Sequence, residues 1–446
     1  MGAQNCGFGP VSALVAVSRP LRGHRRVFVG DGVAAVFARS NPDAFDEVYD
    51  TGGMTESSRA AFTDDLLRNG DHAVSVMDAE LVFRAVAARR PATLVDSLFS
   101  FWKLTRPLAA IAALCATVPR SGFAAADRHL ADLTPHERVV AAHLLATHSV
   151  VQDFPGVTER AAAVAALGAG GRMRRTGPII DTEGLEQVGR TAGPEHDLLI
   201  DVGGFKNFLL GFGDHDDYVR LLHRWVPDLL RDWPRFRRVL VCGGPFGEGR
   251  ERTVSAAGGR ADFRLLRQRE LLRAVASTPD HLLAPGLTAL HETTALGRLP
   301  LAIHEQHYAH VFTMRALDGT LFGRSGCRFA DVVPGHRLPE DDFAGTAALV
   351  ELAGRVLEDD GLYARYRRTF NERIEHYVSL SPAQRRQGVE ELGKLFDGEP
   401  VHAVMSDILD RTGTGAGGGG RPGGRSPGPR QPAGGGTAGP AGADGT

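Results

Sequence analysis

The chain has 446 residues, long enough for two or three globular domains. Its 51 Lys and Arg against 53 Asp and Glu leave a formal net charge of −2, which supplies no general attraction to nucleic acid or an anionic membrane. An apolar fraction of 43% suits ordinary cores, and no run reaches the roughly 18 consecutive apolar residues of a membrane span.

The start, "MGAQNCGFGPVSALVAV", lacks the basic region, long apolar run and small-residue cleavage site of a secretory signal. Cys6, Cys115, Cys242 and Cys327 are scattered, without Cys-x-x-Cys or zinc-type spacing, and read as reduced thiols. A cytoplasmic protein is expected.

Strand-like and helix-like segments alternate along the chain. "RRVFVG" (25–30) leads through Asp31-Gly32 into an apolar-periodic helix. "PATLVDS" (91–97) ends in Asp96-Ser97 before another helical segment, and "SVVQDFPG" (149–156) repeats the arrangement. Further on come "DLLIDVGG" (197–204), "RRVLVCGGPFG" (237–247), "HLLAPG" (281–286) and "LPLAI" (299–303). Apolar strands that end in Gly, Asp or Ser and feed helices indicate parallel sheets covered on both faces. Gly, Pro and Arg crowd the segment 173–197, which marks a domain boundary.

The expected organisation is α/β, with two doubly wound parallel-sheet domains facing across a cleft. An N-terminal domain covers 1–178 and a C-terminal domain 179–395, with helices over 342–378 closing the second or crossing back to the first. A short helical extension follows over 396–411. The Gly/Pro-rich tail 412–446 cannot bury enough apolar surface to offset chain entropy and is expected to be disordered.

Three glycine turns follow three strands of the second half: Gly203-Gly204, Gly243-Gly244 and Pro285-Gly286. Glycine lets backbone N–H groups approach an anion, and the next helix adds its positive N-terminal end. Lys206 and Asn207 offer a charge and a donor nearby. Tight strand-to-helix turns also need glycine for steric reasons alone. Thr288 and Glu292 follow Gly286 in the same helix, Glu292 about 9 Å along its axis. There a carboxylate can hold a ribose diol whose phosphates sit at the helix mouth. The dipole alone also favours an acid in an early turn.

"PGLTALHETTALGRLPLAI" resembles the donor-nucleotide segment of GT-B glycosyltransferases, the family of the peptidoglycan N-acetylglucosaminyltransferase and related UDP-sugar enzymes. The resemblance implies that Glu292 holds the ribose of UDP, that Gly286 lies against the diphosphate, and that the segment His304, Glu305, Gln306, His307 and His310 contacts the donor sugar, with Gln306 the closest match. "IDVGGFKN" is similar to the family's Gly-rich loop. "CGFGPVSALVAV" looks like the acceptor-domain loop and first helix, which puts Gly7, Gly9 and Ser12 at the acceptor, and "RTGPIID" (175–181) looks like the interdomain linker. A hydrophobic strand normally precedes the acceptor loop. Here only "MGAQNC" does, so either the true start lies upstream or the first strand is truncated.

More narrowly, "GFGPVSALVAVSRPL", "FVGDGVAAVFAR", "LVDSLFSFWKL" and "VVQDFPGV" together resemble the cytosylglucuronate synthase-related glycosyltransferases of nucleoside-antibiotic pathways. That resemblance implies transfer of glucuronate from UDP-glucuronate to a nitrogen of cytosine, with inversion.

Such a transfer needs donors for the departing diphosphate and a base for the acceptor. Asp96, at the end of its strand, is the first candidate base, and helix capping is its alternative role; Asp31 is the second. No cofactor or metal is expected: "GDHDDY" (213–218) is read as first-turn acids of a helix rather than a metal-binding Asp-x-Asp. The expected partners are a UDP-sugar and a small acceptor, with no nucleic acid. A UDP-sugar 2-epimerase or hydrolase on the same fold, or a non-catalytic sugar-nucleotide-binding protein, are the alternatives.

Overall fold

The computed structural model describes residues 1–168, 172–188, 195–204, 216–247 and 249–414. Lys206, Asn207 and all but the first residues of the Gly/Pro-rich tail lie outside them.

The first domain carries strands β1 (Gly2–Ala3), β2 (Val27–Gly30), β3 (Glu47–Asp50), β4 (Ala73–Val76), β5 (Ala92–Asp96), β6 (His148–Gln152) and β7 (Arg172–Thr176). Strands β1, β4, β5, β6 and β7 pair in that order, all in parallel. The parallel pair β2–β3 extends the same sheet, because the Val29 N–H donates to Met1 O beside β1. The order β3-β2-β1-β4-β5-β6-β7 reverses direction at β1, the doubly wound pattern whose switch point carries ligands. The central place where the sequence offered only "MGAQNC" is therefore filled by a strand of two residues, both buried.

The second domain is built on β8 (Leu198–Asp201), β9 (Arg238–Cys242), β10 (Arg252–Ala256), β11 (Gly259–Arg264), β12 (Asp280–Leu283) and β13 (Leu301–Ala302). Their order is β10-β11-β9-β8-β12-β13, and only the edge pair β10–β11 is antiparallel. Here the reversal falls between β8 and β12, so the two strands that end in Asp201 and Leu283 open onto one crevice. The strands β4, β5, β6, β8 and β12 are buried along their whole length, as parallel strands between two helical layers must be. The chain is thus α/β, with two doubly wound parallel-sheet domains facing across a cleft.

The helices Asp342–Glu358 and Asp360–Ser379 pack within the second domain. The element that returns to the first is Val401–Thr414, which lies against β7 and the helix Gly9–Ser18. Arg174 of β7 pairs with Glu399 and Asp407 there, and the Gly177 N–H donates to Glu399 O. A second fastening lies at Arg19, buried and paired with Asp43 of its own domain and Asp181 of the interdomain segment. No helix among the described residues is long and apolar enough to cross a membrane.

Candidate nucleotide-binding cleft

The cleft between the sheets is lined from the first domain by Cys6 to Pro10, Ser12, Phe37, Met77, Ser97, Leu98 and Phe101. From the second it is lined by Asp201, Gly203, Gly204, Gln268, Pro285 to Ala289, Glu292, Gln306, His307, His310 and Asp342, among others. Gly7, Gly9 and Ser12 on one side and Gly203, Gly204, Gly243, Gly286, Thr288 and Glu292 on the other therefore border one space.

Two helices start at this space, Gly9–Ser18 and Leu287–Ala295. A Cβ on Gly9 would stand 3.8 Å from the Thr288 hydroxyl, so the two helix mouths face each other. Each presents first-turn N–H groups with no intrahelical acceptor, and the two positive ends converge on a site suited to a diphosphate. The N–H groups of four of the turn glycines are engaged within the protein. The Gly286 N–H donates to Ala284 O, the Gly203 N–H to Asp201 Oδ1, the Gly243 N–H to Arg264 O and the Gly244 N–H to Gly203 O. The open amides at the second helix are those of Leu287, Thr288 and Ala289, one turn ahead of the Leu290 N–H that bonds Gly286 O.

Glycine is needed here for approach. Gly203 has φ +68°, and a Cβ on Gly204 would meet the Phe8 nitrogen at 2.4 Å and the Gly7 Cα at 2.5 Å. The expected acceptor loop and the expected diphosphate loop touch backbone to backbone.

Glu292 is buried, and one carboxyl oxygen accepts from the Gln268 side-chain amide. Burial, and then the nearby Asp201 charge, push its pKa up to about 8. Burial likewise raises Asp201 to about 6. Gln306 donates its amide to Val202 O at 2.9 Å, which ties the segment after β13 to the end of β8. His310 lies behind the helix mouth: its Nδ1 accepts from the Gln306 N–H at 3.3 Å, and its Nε2 stands 3.9 Å from where a Gly286 Cβ would be. The rings of His307 and His310 are 3.8 Å apart.

Several expected site residues lie elsewhere. Asp96 is fully buried beneath the cleft, where Oδ2 accepts from Trp102 Nε1 at 2.6 Å and His143 Nε2 at 2.8 Å, and Oδ1 from the Leu98 N–H at 2.7 Å. With three donors on one carboxylate it anchors the loop after β5 and does not line the cleft. Asp31 accepts from Asn5 and pairs with Arg59 at 2.9 Å, facing a separate polar pocket shared with Asp78 and Arg84. Glu305 turns away from the cleft, accepting from the Phe329 N–H at 3.0 Å. His304 likewise faces inward onto Phe329, Tyr366 and Phe370. Asp216 and Asp217 open the helix Asp216–Asp232, Asp217 pairing with Arg220, and the rest of that acidic segment is outside the described residues.

Asp201, Gln268 and Asp342 escaped the sequence reading. Asp201 was legible as a carboxylate at the end of an apolar strand just before the Gly203-Gly204 turn, but Gln268 and Asp342 carry no motif.

No protein-family model matches the chain, and no curated protein matches it significantly. Among solved structures, Phytolacca americana UGT2 complexed with UDP-2fluoro-glucose and pterostilbene is similar at 13% identity over 92% of this chain and 99% of that one, with a TM-score of 0.49. The spinosyn forosaminyltransferase SpnP is similar at 12% identity over 92% and 98%, with a TM-score of 0.47. A UGT transferase from Siraitia grosvenorii in complex with UDP is similar at 11% identity over 92% and 98%, with a TM-score of 0.45.

Proposed function

We propose that the chain is a glycosyltransferase that moves a sugar from a UDP-sugar to a small acceptor held by the first domain. One observation carries the reading: two helix mouths, the Gly203-Gly204 turn and the buried carboxyl of Glu292 border a single interdomain cleft. The diphosphate is held at the first-turn amides of Leu287–Ala295, the ribose by Glu292, and the sugar toward Gln306 and His307. The departing negative charge is stabilised by amides and helix ends already fixed in place.

The finer reading, glucuronate delivered to a nitrogen of cytosine, is favoured by the four N-terminal segments named above. His307 and His310 are the basic side chains that line the described cleft.

Purified protein incubated with UDP-glucose, UDP-N-acetylglucosamine or UDP-glucuronate, each with a panel of small acceptors that includes cytosine, tests both readings by mass spectrometry. UDP together with a new glycoside is expected. UDP without a glycoside identifies a hydrolase, and neither UDP release nor UDP binding overturns the proposal.

A further inference from the structure

With Asp96 and Asp31 engaged elsewhere, three carboxylates line the described cleft: Asp201, Glu292 and Asp342. The first two stand on the nucleotide side, bonded to the Gly203 N–H and to Gln268. Asp342 is held from the first domain instead. It is the first residue of the helix Asp342–Glu358, 3% exposed, and its Oδ2 accepts from His136 Nε2 at 3.1 Å. His136 comes from the other domain, on the helix Pro135–Leu145. Its Nδ1 accepts from the Lys103 backbone N–H at 3.1 Å, so the ring proton sits on Nε2 and points at the carboxylate. Phe101 and Trp102 hold the ring, at centroid distances of 5.4 and 5.2 Å, and Phe101 itself lines the cleft. Oδ1 of Asp342 has no hydrogen-bond partner among the described residues.

We propose that Asp342 is the base that takes the acceptor's proton, and that His136 is the positioning residue that aims it. The inference rests on the transferase reading. As the acceptor O–H or N–H gives its proton to Oδ1, the acceptor atom bonds to the anomeric carbon. The bond from that carbon to the diphosphate oxygen breaks, and its electron pair leaves with UDP. Protonated Asp342 then returns the proton to water. One oxygen stays fixed by His136 while the other works, the division of labour by which an oriented carboxylate serves as a base. Because its two members belong to different domains, the pair exists only while the cleft is closed as it is here.

The test uses the full chain with UDP-glucose as donor and water, phenol or 4-nitrophenol as acceptor. A base matters most for the weakly acidic phenol and least for 4-nitrophenol, which ionises readily by itself. For Asp342→Asn, UDP affinity is expected to stay within about twofold while kcat toward phenol and water falls by about 10²- to 10⁴-fold, with a much smaller loss toward 4-nitrophenol. His136→Ala should lower kcat in the same acceptor-dependent way, and His136→Gln, which can still donate to the carboxylate, should recover part of it. Equal losses toward both phenols, or wild-type turnover in Asp342→Asn, overturn the inference and leave the transferase reading intact. A wild-type protein that releases no UDP from any UDP-sugar overturns both. Should Asp342→Asn fail to fold by circular dichroism, the two His136 variants decide by the same split between acceptors.

Discussion

Gln268 donates its side-chain amide to Glu292, and this is the one hydrogen bond to the Glu292 carboxyl among the described residues. The bond joins the first turn of the helix Gln268–Ser277 to the second turn of Leu287–Ala295 and fixes one carboxyl oxygen, leaving the other for a ligand. Asp201 lies close enough for its charge to act on Glu292, and neither carboxyl forms an ion pair among the described residues.

If Glu292 holds the ribose diol, Glu292→Ala should weaken UDP binding at neutral pH by about 0.5–1.5 kcal/mol, the range for hydrogen bonds between uncharged groups, since the carboxyl is then mostly protonated. Isothermal calorimetry reads this directly. An unchanged affinity places the ribose elsewhere.

The raised pKa of Glu292 has a consequence for stability. The folded group, near 8, holds its proton over a range in which the unfolded group, near 4.5, has lost it. The folded state therefore binds the extra proton, and this group's contribution falls as pH rises from about 4.5 to about 8, by on the order of 1 kcal/mol per pH unit. Glu292→Gln removes that dependence. The stability of wild type minus that of Glu292→Gln, from urea melts at several pH values, should decline across this window and level off above it. A flat difference contradicts the buried, uncompensated carboxyl.

Gly204→Ala sets a Cβ against backbone atoms of Phe8 and Gly7, which have no side-chain freedom with which to yield. A loss of about 1–3 kcal/mol in stability is expected, together with weaker UDP binding as the two loops are pushed apart. Gly53→Ala, whose Cβ would meet nothing within 4 Å, is the control.

Arg19→Ala leaves the Asp181 carboxylate buried without its cation. Arg19 is 2% exposed and Asp181 1%, so the loss should reach about 3–5 kcal/mol, far above a surface ion pair. Thermal unfolding measures it. A change of under 1 kcal/mol would mean that water reaches the pair.

Asp96→Asn separates a structural anchor from a base. Its amide presents a donor where Trp102 and His143 also donate, at an expected cost of about 1–3 kcal/mol. Turnover per folded molecule should be unchanged. A large loss of kcat at full stability would return Asp96 to the chemistry.

Two doubly wound domains and the glycine turns after their strands were legible because apolar strands and strand-ending glycines are local features. The edge strand β7, "RMRRT", was hidden by its charges. An edge strand needs only one pairing partner, and charge there deters a second. The strand β1 was hidden by its length. Two residues suffice at the centre of the sheet because β2 and β4 supply the pairing on either side.

Sequence thus determined where the strands end and that Gly286 and Glu292 share one helix start, because these are features of the local chain. Only the tertiary structure decided which groups face the cleft. Asp96 and Asp31 end strands just as Asp201 does, yet His143 with Trp102 engages the first and Asn5 with Arg59 the second, and Asp342 bonds a partner 206 residues away. Strand ends are set by local pattern, whereas the direction of a side chain depends on neighbours that folding alone brings near.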